Sequence, residues 1–239
     1  MLGLWNSKKT ILESGILKGA TDNHSHILYG VDDGVKTVED SLRILGFLEE
    51  AGVETLWLTP HIMEDVPNTS EALKARFSEL KKVYNGHIQL HLAAEYMMDT
   101  LYEQRLHDRD LRLHGGDRVL IETSAVAPPV GFWDIVSDTM KSGYRPILAH
   151  PERYVYMSPS DYDRLHKMGV LLQLNLPSLA GVYGEHVKIR AMDLLNKGYY
   201  CMWGSDCHRF RAIEGQYNAK FLKSGVIEML EKIKTGDNF

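Results

Sequence analysis

The chain has 239 residues, 44% hydrophobic and 25% charged, which suits one full-sized globular domain with a large core. Its net charge of −5 and sequence pI of about 6.1 argue against nucleic acid as the main partner, because such binders carry a basic footprint. Two cysteines, Cys201 and Cys207, exclude a disulfide framework and point to a reducing cytoplasm.

Residues 1–19 contain no apolar run suited to a secretory signal, and no stretch approaches the roughly 20 apolar residues of a membrane helix. A cytoplasmic protein without membrane insertion is expected, built as one domain over 1–239, with 1–19 as an N-terminal extension. The first strand is expected within Ala20 to His26. Thr37 then opens a helix, with Asp40 three residues on as a weaker capping box, and Gly52 closes it. Glu54 to Thr59 reads as a strand. Leu73, Phe77, Leu80 and Tyr84 fall at helical spacing within Ser70 to Tyr84. Ile88 to Glu95 and Arg118 to Glu122 read as strands, and Trp133 to Ser142 as a helix stopped by Gly143. Pro146 to His150 is a strand, Ser160 to Met168 a helix before Gly169, and Val170 to Asn175 a strand. Glu185 to Asn196 is a helix, Tyr199 to Trp203 the last strand, and Lys220 to Lys234 a terminal helix. About seven strands, most followed by a helix, imply a parallel sheet with crossover connections. Periodicity alone leaves open whether such a sheet closes into a barrel.

Eleven histidines is the unusual count. His24 and His26 end the first strand, and their two-residue spacing sends both side chains to one side. Asp32 and Asp33 follow in the loop. His61 lies just past the second strand, Glu95 ends the third, Glu122 the fourth and His150 the fifth. Asp206 and His208 follow the last. Parallel strands in a barrel converge at their C-terminal ends, where catalytic residues gather. Imidazole and carboxylate ligands suit zinc, manganese or iron. The nine side chains His24, His26, Asp33, His61, Glu95, Glu122, His150, Asp206 and His208 exceed the needs of one tetrahedral ion. Two or three divalent ions, bridged by a carboxylate such as Glu95, fit the count. One of Asp32 and Asp33 is free to cap the following helix while the other faces the metals. A lone histidine at a strand end is usually structural, and His87, His91, His107, His114, His166 and His186 have no convergent context.

These motifs resemble the PHP (polymerase and histidinol phosphatase) superfamily. His24-Ser25-His26, Thr59-Pro60-His61, an isolated glutamate, Ala149-His150-Pro151 and Ser205-Asp206-Cys207-His208 match its motifs in order. Within that superfamily, the run from His26 to Gly34 resembles the bacterial manganese-dependent protein tyrosine phosphatases of capsule and exopolysaccharide operons. Ala149-His150-Pro151-Glu152-Arg153-Tyr154 is a second specific match. The resemblance implies a distorted (β/α)7 TIM-like barrel holding a three-metal centre, with manganese first and iron or zinc sharing the same ligands. It implies that His24, His26, Glu95 and Asp206 hold one ion. Glu95, Glu122, His61 and His208 help hold its neighbours, and Asp33 and His150 complete the site. The family pattern favours Asp33 over Asp32. Arg153 matches the phosphate-binding arginine, and Arg209 and Arg211 compete for a second such role.

Metals lower the pKa of bound water from 15.7 to roughly 7, so a metal-activated hydroxide is the expected nucleophile. Arg153 would neutralise phosphoryl oxygens, and Asp33, or His208 if not fully committed to metal, would protonate the leaving group. A thiol mechanism needs a cysteine followed by five residues and an arginine. Position six after Cys207 is Ile213, and after Cys201 it is Cys207, so neither qualifies. Tyr154 and Tyr156 are candidates for a phosphotyrosine pocket or for ordinary packing. The expected activity is dephosphorylation of a phosphotyrosine protein, by resemblance the tail of a bacterial tyrosine autokinase in polysaccharide biosynthesis. The competing readings are a histidinol phosphatase or other small-molecule phosphoesterase, a non-catalytic metal-binding module, and a nuclease disfavoured by the acidic pI.

Overall fold

The computed structural model describes residues 7–236, so residues 1–6 of the expected extension lie outside the described part. The remainder of that extension includes α1 (Ile11–Ser14), opened by a capping box between Thr10 and Glu13. Then follow β1 (Ala20–Asp22), α2 (Val38–Ala51), β2 (Val53–Leu58), β3 (His61–Ile62) and α3 (Ser70–Val83). β4 (Gln89–Leu92), β5 (Glu95–Met97), α4 (Thr100–Asp108), β6 (Arg118–Glu122), α5 (Phe132–Lys141) and β7 (Arg145–Ala149) continue the chain. It ends with α6 (Pro159–Met168), β8 (Leu171–Asn175), α7 (Glu185–Asn196), β9 (Tyr200–Gly204), α8 (Phe210–Tyr217) and α9 (Ser224–Lys232).

The fold is α/β, and every strand pair is parallel. The strands form two sheets, ordered β1-β2-β4 and β3-β5-β6-β7-β8-β9. The strand expected over Glu54 to Thr59 is β2, with the short β3 following it beyond Pro60, whereas the strand expected over Ile88 to Glu95 is broken into β4 and β5. Pro60 has no N–H to donate to a ladder, which ends β2 before β3 begins. The break between β4 and β5 is at Ala93-Ala94, where Ala93 donates to Leu58 and Glu95 to Pro60. Backbone bonds also tie the two sheets together. Asp206 donates to the carbonyl of His24 at 2.8 Å and His26 to that of Cys207 at 3.0 Å.

The local signals act as their chemistry dictates. The Thr37 hydroxyl accepts from the Asp40 N–H, and Gly52, at φ 97°, closes α2 in a left-handed turn that glycine adopts without strain. The terminal helix begins at Ser224 rather than Lys220, because Leu222 pairs with Lys9 in an antiparallel bridge. Leu120, Ile147, Leu171 and Met202 pack together as a small buried cluster separate from the main core. The two-residue period of a strand places Glu122 on the same side as Leu120 and Gln173 on the same side as Leu171. Polar side chains therefore emerge from the strand ends above an apolar floor.

Candidate metal centre

The side chains singled out at the strand ends meet. His24 Nε2 lies 3.1 Å from His26 Nε2 and 3.1 Å from Glu95 Oε2. His26 Nε2 is 3.3 Å from Glu95 Oε2 and 3.4 Å from Asp206 Oδ1. His61 Nδ1 stands 3.2 Å from Glu95 Oε2 and 3.0 Å from Glu122 Oε1. His150 Nε2 is 3.0 Å from Glu95 Oε1, and His208 Nδ1 is 3.5 Å from Asp206 Oδ1. The aspartate pair divides. Asp33 Oδ1 reaches towards His61 and His208, at 3.6 and 3.3 Å from their Nε2 atoms, whereas Asp32 turns back onto Nδ1 of His26 at 2.7 Å. Gly34 permits that return, since a side chain there would collide with the His26 carbonyl and the Asp32 carboxylate.

Two side chains of β8 hold members of the cluster in place. Gln173 Oε1 accepts from His24 Nδ1 at 2.8 Å, which aims Nε2 at the cluster. Asn175 Nδ2 donates to Asp206 Oδ2 at 3.1 Å. Sequence reading missed both, although two polar residues at period two within Leu171-Leu172-Gln173-Leu174-Asn175 mark one strand face. Two of the three non-glycine residues with positive φ among the described residues belong to the cluster, His150 at 34° and Asp206 at 50°. Such conformations cost free energy and concentrate at functional sites.

These groups fit cations. Metal bonds of about 2.1 Å at octahedral to tetrahedral angles separate neighbouring donor atoms by about 3.0–3.4 Å, close to the spacings found here. Four groupings of the residues bring ligand atoms within 4.8 Å of one another: His26-Asp33-His61-His208, His24-Glu95-His150, His24-His26-Asp206 and His61-Glu95-Glu122. His61 Nδ1, Glu95 Oε2 and Glu122 Oε1 are buried yet have no hydrogen-bond partner among the described residues. Burial opposes ionisation of Asp206, but His24, His150, His26 and His208 hold its carboxyl down at about 2. Burial likewise opposes protonation of His24, but Glu95 and Asp206 raise it to about 9. Protons on imidazoles thus balance buried carboxylates, and a metal ion would replace those protons.

The pocket over the cluster is lined by Asp33, His61, Met63, Glu95, Glu122, His150, Arg153, Tyr183, Asp206 and His208. Arg153 donates to Asp206 Oδ2 at 2.9 Å and lies over the Tyr183 ring. It pairs with neither Glu152, which is buried against Tyr200 and the Asn175 N–H, nor Asp161, which caps α6. Arg209 and Arg211 are exposed and line an adjacent groove instead of this pocket. Tyr154 is a core residue, its hydroxyl donating to the Ala149 carbonyl at 2.8 Å. Tyr156 lines an aromatic cleft with Phe132 and Trp133. Cys207 is buried, and burial pushes its thiol well above the ordinary range. The histidines left aside stay outside the cluster: His114 donates to the Asn23 carbonyl, His91 stacks on Trp57 and His166 on Tyr199.

The chain is similar to known proteins. The tyrosine-protein phosphatase YwqE of Bacillus subtilis is 29% identical over 197 residues, covering 80% of this chain and 78% of its own. The tyrosine-protein phosphatase CpsB of Streptococcus pneumoniae is 27% identical, covering 89% of this chain and 97% of its own. A solved structure from work on these two proteins, described as metal-dependent tyrosine phosphatases, superposes with a TM-score of 0.72 at 25% identity, covering 90% of this chain and 95% of that one. Residues 20–218 match the family described as capsular polysaccharide synthesis, CpsB/CapC, and the chain belongs to that family.

Proposed function

We propose that this chain is a metal-dependent protein tyrosine phosphatase, and that its two sheets are the halves of one distorted (β/α)7 barrel forming a single domain. The backbone bonds that join His24 to Asp206 and His26 to Cys207 support closure of that ring. The names of the relatives support the activity. The observation that carries the reading is the crowding of buried atoms on His61, Glu95 and Glu122 with further imidazoles and carboxylates, all at ligand spacing and without aligned hydrogen bonds at His61 Nδ1, Glu95 Oε2 and Glu122 Oε1.

His24, His26, Asp33, His61, Glu95, Glu122, His150, Asp206 and His208 are the proposed ligands of two or three divalent ions, manganese first, with iron or zinc accepted by the same donors. Such ions supply an acidified water and neutralise phosphoryl charge. Arg153, fixed by Asp206 and lying over Tyr183, offers its remaining N–H groups to phosphoryl oxygens. Asp33 or His208, at the mouth of the pocket, would hand a proton to the departing phenolate if not fully committed to an ion. The proposed substrate is a phosphotyrosine tail of a bacterial tyrosine autokinase in capsule or exopolysaccharide synthesis, met in the cytoplasm.

The test is metal content together with hydrolysis of phosphotyrosine peptides and of histidinol phosphate, before and after chelation. Expected are bound divalent metal, loss of activity with chelator and preference for the aryl ester. A preference for histidinol phosphate would transfer the assignment to a small-molecule phosphatase. A folded, metal-free and inactive chain would make it a non-catalytic module.

A further inference from the structure

Beside the metal pocket lies a groove of about 440 Å³ lined by Gly34, Val35, Lys36, Asp40, Arg43, His208, Arg209, Phe210 and Arg211. His208 lines both, so the two lie side by side. Four cations, Lys36, Arg43, Arg209 and Arg211, surround this groove, all exposed and none in an ion pair among the described residues. Other lysines and arginines of the chain do have carboxylate partners, including Arg76, Arg105, Lys141, Lys188 and Lys197. Asp40 is the single carboxylate in the lining, and it is engaged with the Thr37 hydroxyl at the start of α2.

The backbone adds to this charge. The groove takes its lining from the first turns of both α2 and α8. The N-terminus of α8 has no side-chain cap, which leaves its positive dipole end directed at solvent. Arg43 is held in place over the ring of Phe210, with its guanidinium carbon 3.7 Å from the ring centroid. In a chain of net charge −5, a concentration of uncompensated positive charge next to the reaction centre is a local exception. It attracts an anionic partner and raises its encounter rate.

We infer that this groove receives the acidic side chains flanking phosphotyrosine in the substrate, so that the enzyme selects peptides with Asp or Glu near the phosphorylated residue. This rests on the phosphatase reading and extends it from the phosphoryl group to its neighbours. An extended peptide advances about 3.3 Å per residue, so residues next to a phosphotyrosine seated over the cluster reach a groove that begins at His208.

The experiment uses the manganese-loaded full chain and a K36Q/R43Q double variant, whose exposed substitutions lie outside the proposed ligand set. Binding of fluorescent peptides carrying a non-hydrolysable phosphotyrosine mimic is measured by anisotropy, with acidic, neutral and basic flanks. Hydrolysis of p-nitrophenyl phosphate is followed in parallel, and thermal unfolding checks the variant. The wild type should bind the acidic peptide about tenfold more tightly than the neutral one, a preference that shrinks with added salt. The double variant should lose that preference while hydrolysing p-nitrophenyl phosphate at the wild-type rate. Equal binding of all three peptides, an unchanged preference in the variant, or tighter binding of an anionic polysaccharide than of the acidic peptide would each overturn the inference. Absence of p-nitrophenyl phosphate hydrolysis would instead sink the phosphatase reading, while the anisotropy still decides on the groove.

Discussion

The carboxylate of Asp32 accepts a hydrogen bond from Nδ1 of His26 at 2.7 Å, and Nε2 of the same ring faces Glu95 and Asp206. Burial alone would raise the Asp32 carboxyl, but His26 holds it down at about 2, so it stays ionised and the imidazole donates. The neighbouring Asp33 has the opposite task, pointing at His61 and His208. Adjacent aspartates therefore divide into one that orients a ligand and one that is a proposed ligand itself. Substituting Asp32→Asn should weaken manganese binding by about 10- to 100-fold, the usual consequence of losing an orienting partner, with activity recovered at high metal. Asp33→Asn should stay impaired at saturating metal. Activity titrated against manganese separates the two, and identical titration curves for Asp32→Asn and wild type would remove Asp32 from that role.

Arg153 is the arginine that lines the pocket, and its tie to Asp206 fixes the guanidinium there. Arg153→Ala should lower kcat/KM for aryl phosphates by about 10²- to 10³-fold, the scale of losing one preorganised donor to a transition state. Arg209→Ala and Arg211→Ala, in the adjacent groove, should leave p-nitrophenyl phosphate hydrolysis within about threefold of wild type and act on charged peptides instead. Steady-state kinetics on the two substrate classes reads this directly. A collapse of p-nitrophenyl phosphate hydrolysis in Arg211→Ala would return that residue to the phosphoryl site.

Much of this arrangement was legible beforehand because strands announce themselves as short apolar runs and their polar ends stand out. Arg118 to Glu122 and Glu185 to Asn196 coincide with the structure. The break at Ala93-Ala94 and the short strand β3 were not legible, because each depends on which neighbour supplies the next acceptor. The polar helix α4 escaped notice, as its apolar face reduces to Leu101, Tyr102 and Leu106, although Asp99 caps it by accepting from the Tyr102 N–H. The placing of Arg209 and Arg211 turns on where α8 begins, and little in Arg209-Phe210-Arg211 marks a helix start.

The buried thiol of Cys207 is 4% exposed and held protonated, and no arginine follows at the spacing a thiol phosphatase requires. Cys207→Ser should retain most activity, since only packing against its surroundings changes. Specific activity per bound metal is the quantity to compare. Loss of turnover with metal content intact would revive a thiol nucleophile.

Acid should destabilise the fold through His114. This ring is 1% exposed, stacks on Trp57 and donates from Nε2 to the Asn23 carbonyl, while Nδ1 has no partner among the described residues. Burial, assisted by the charge of Arg118, pushes its pKa down to about 3 from the ordinary 6.5. Between those values the unfolded chain binds a proton that the folded chain refuses. The neutral ring's contribution is therefore complete above pH 6.5 and is lost progressively as the pH falls towards 3. At pH 4.5 the loss is on the order of 2–3 kcal/mol, since each pH unit between the two values removes about 1.4 kcal/mol. His114→Gln should be less stable than wild type at pH 7, where its packing is poorer, but the gap should narrow or reverse by pH 4.5. Urea unfolding of both proteins in chelator at each pH isolates the effect, because the metal cluster's own titration cancels in the difference. A gap independent of pH would show that His114 is protonated in the folded state at no extra cost.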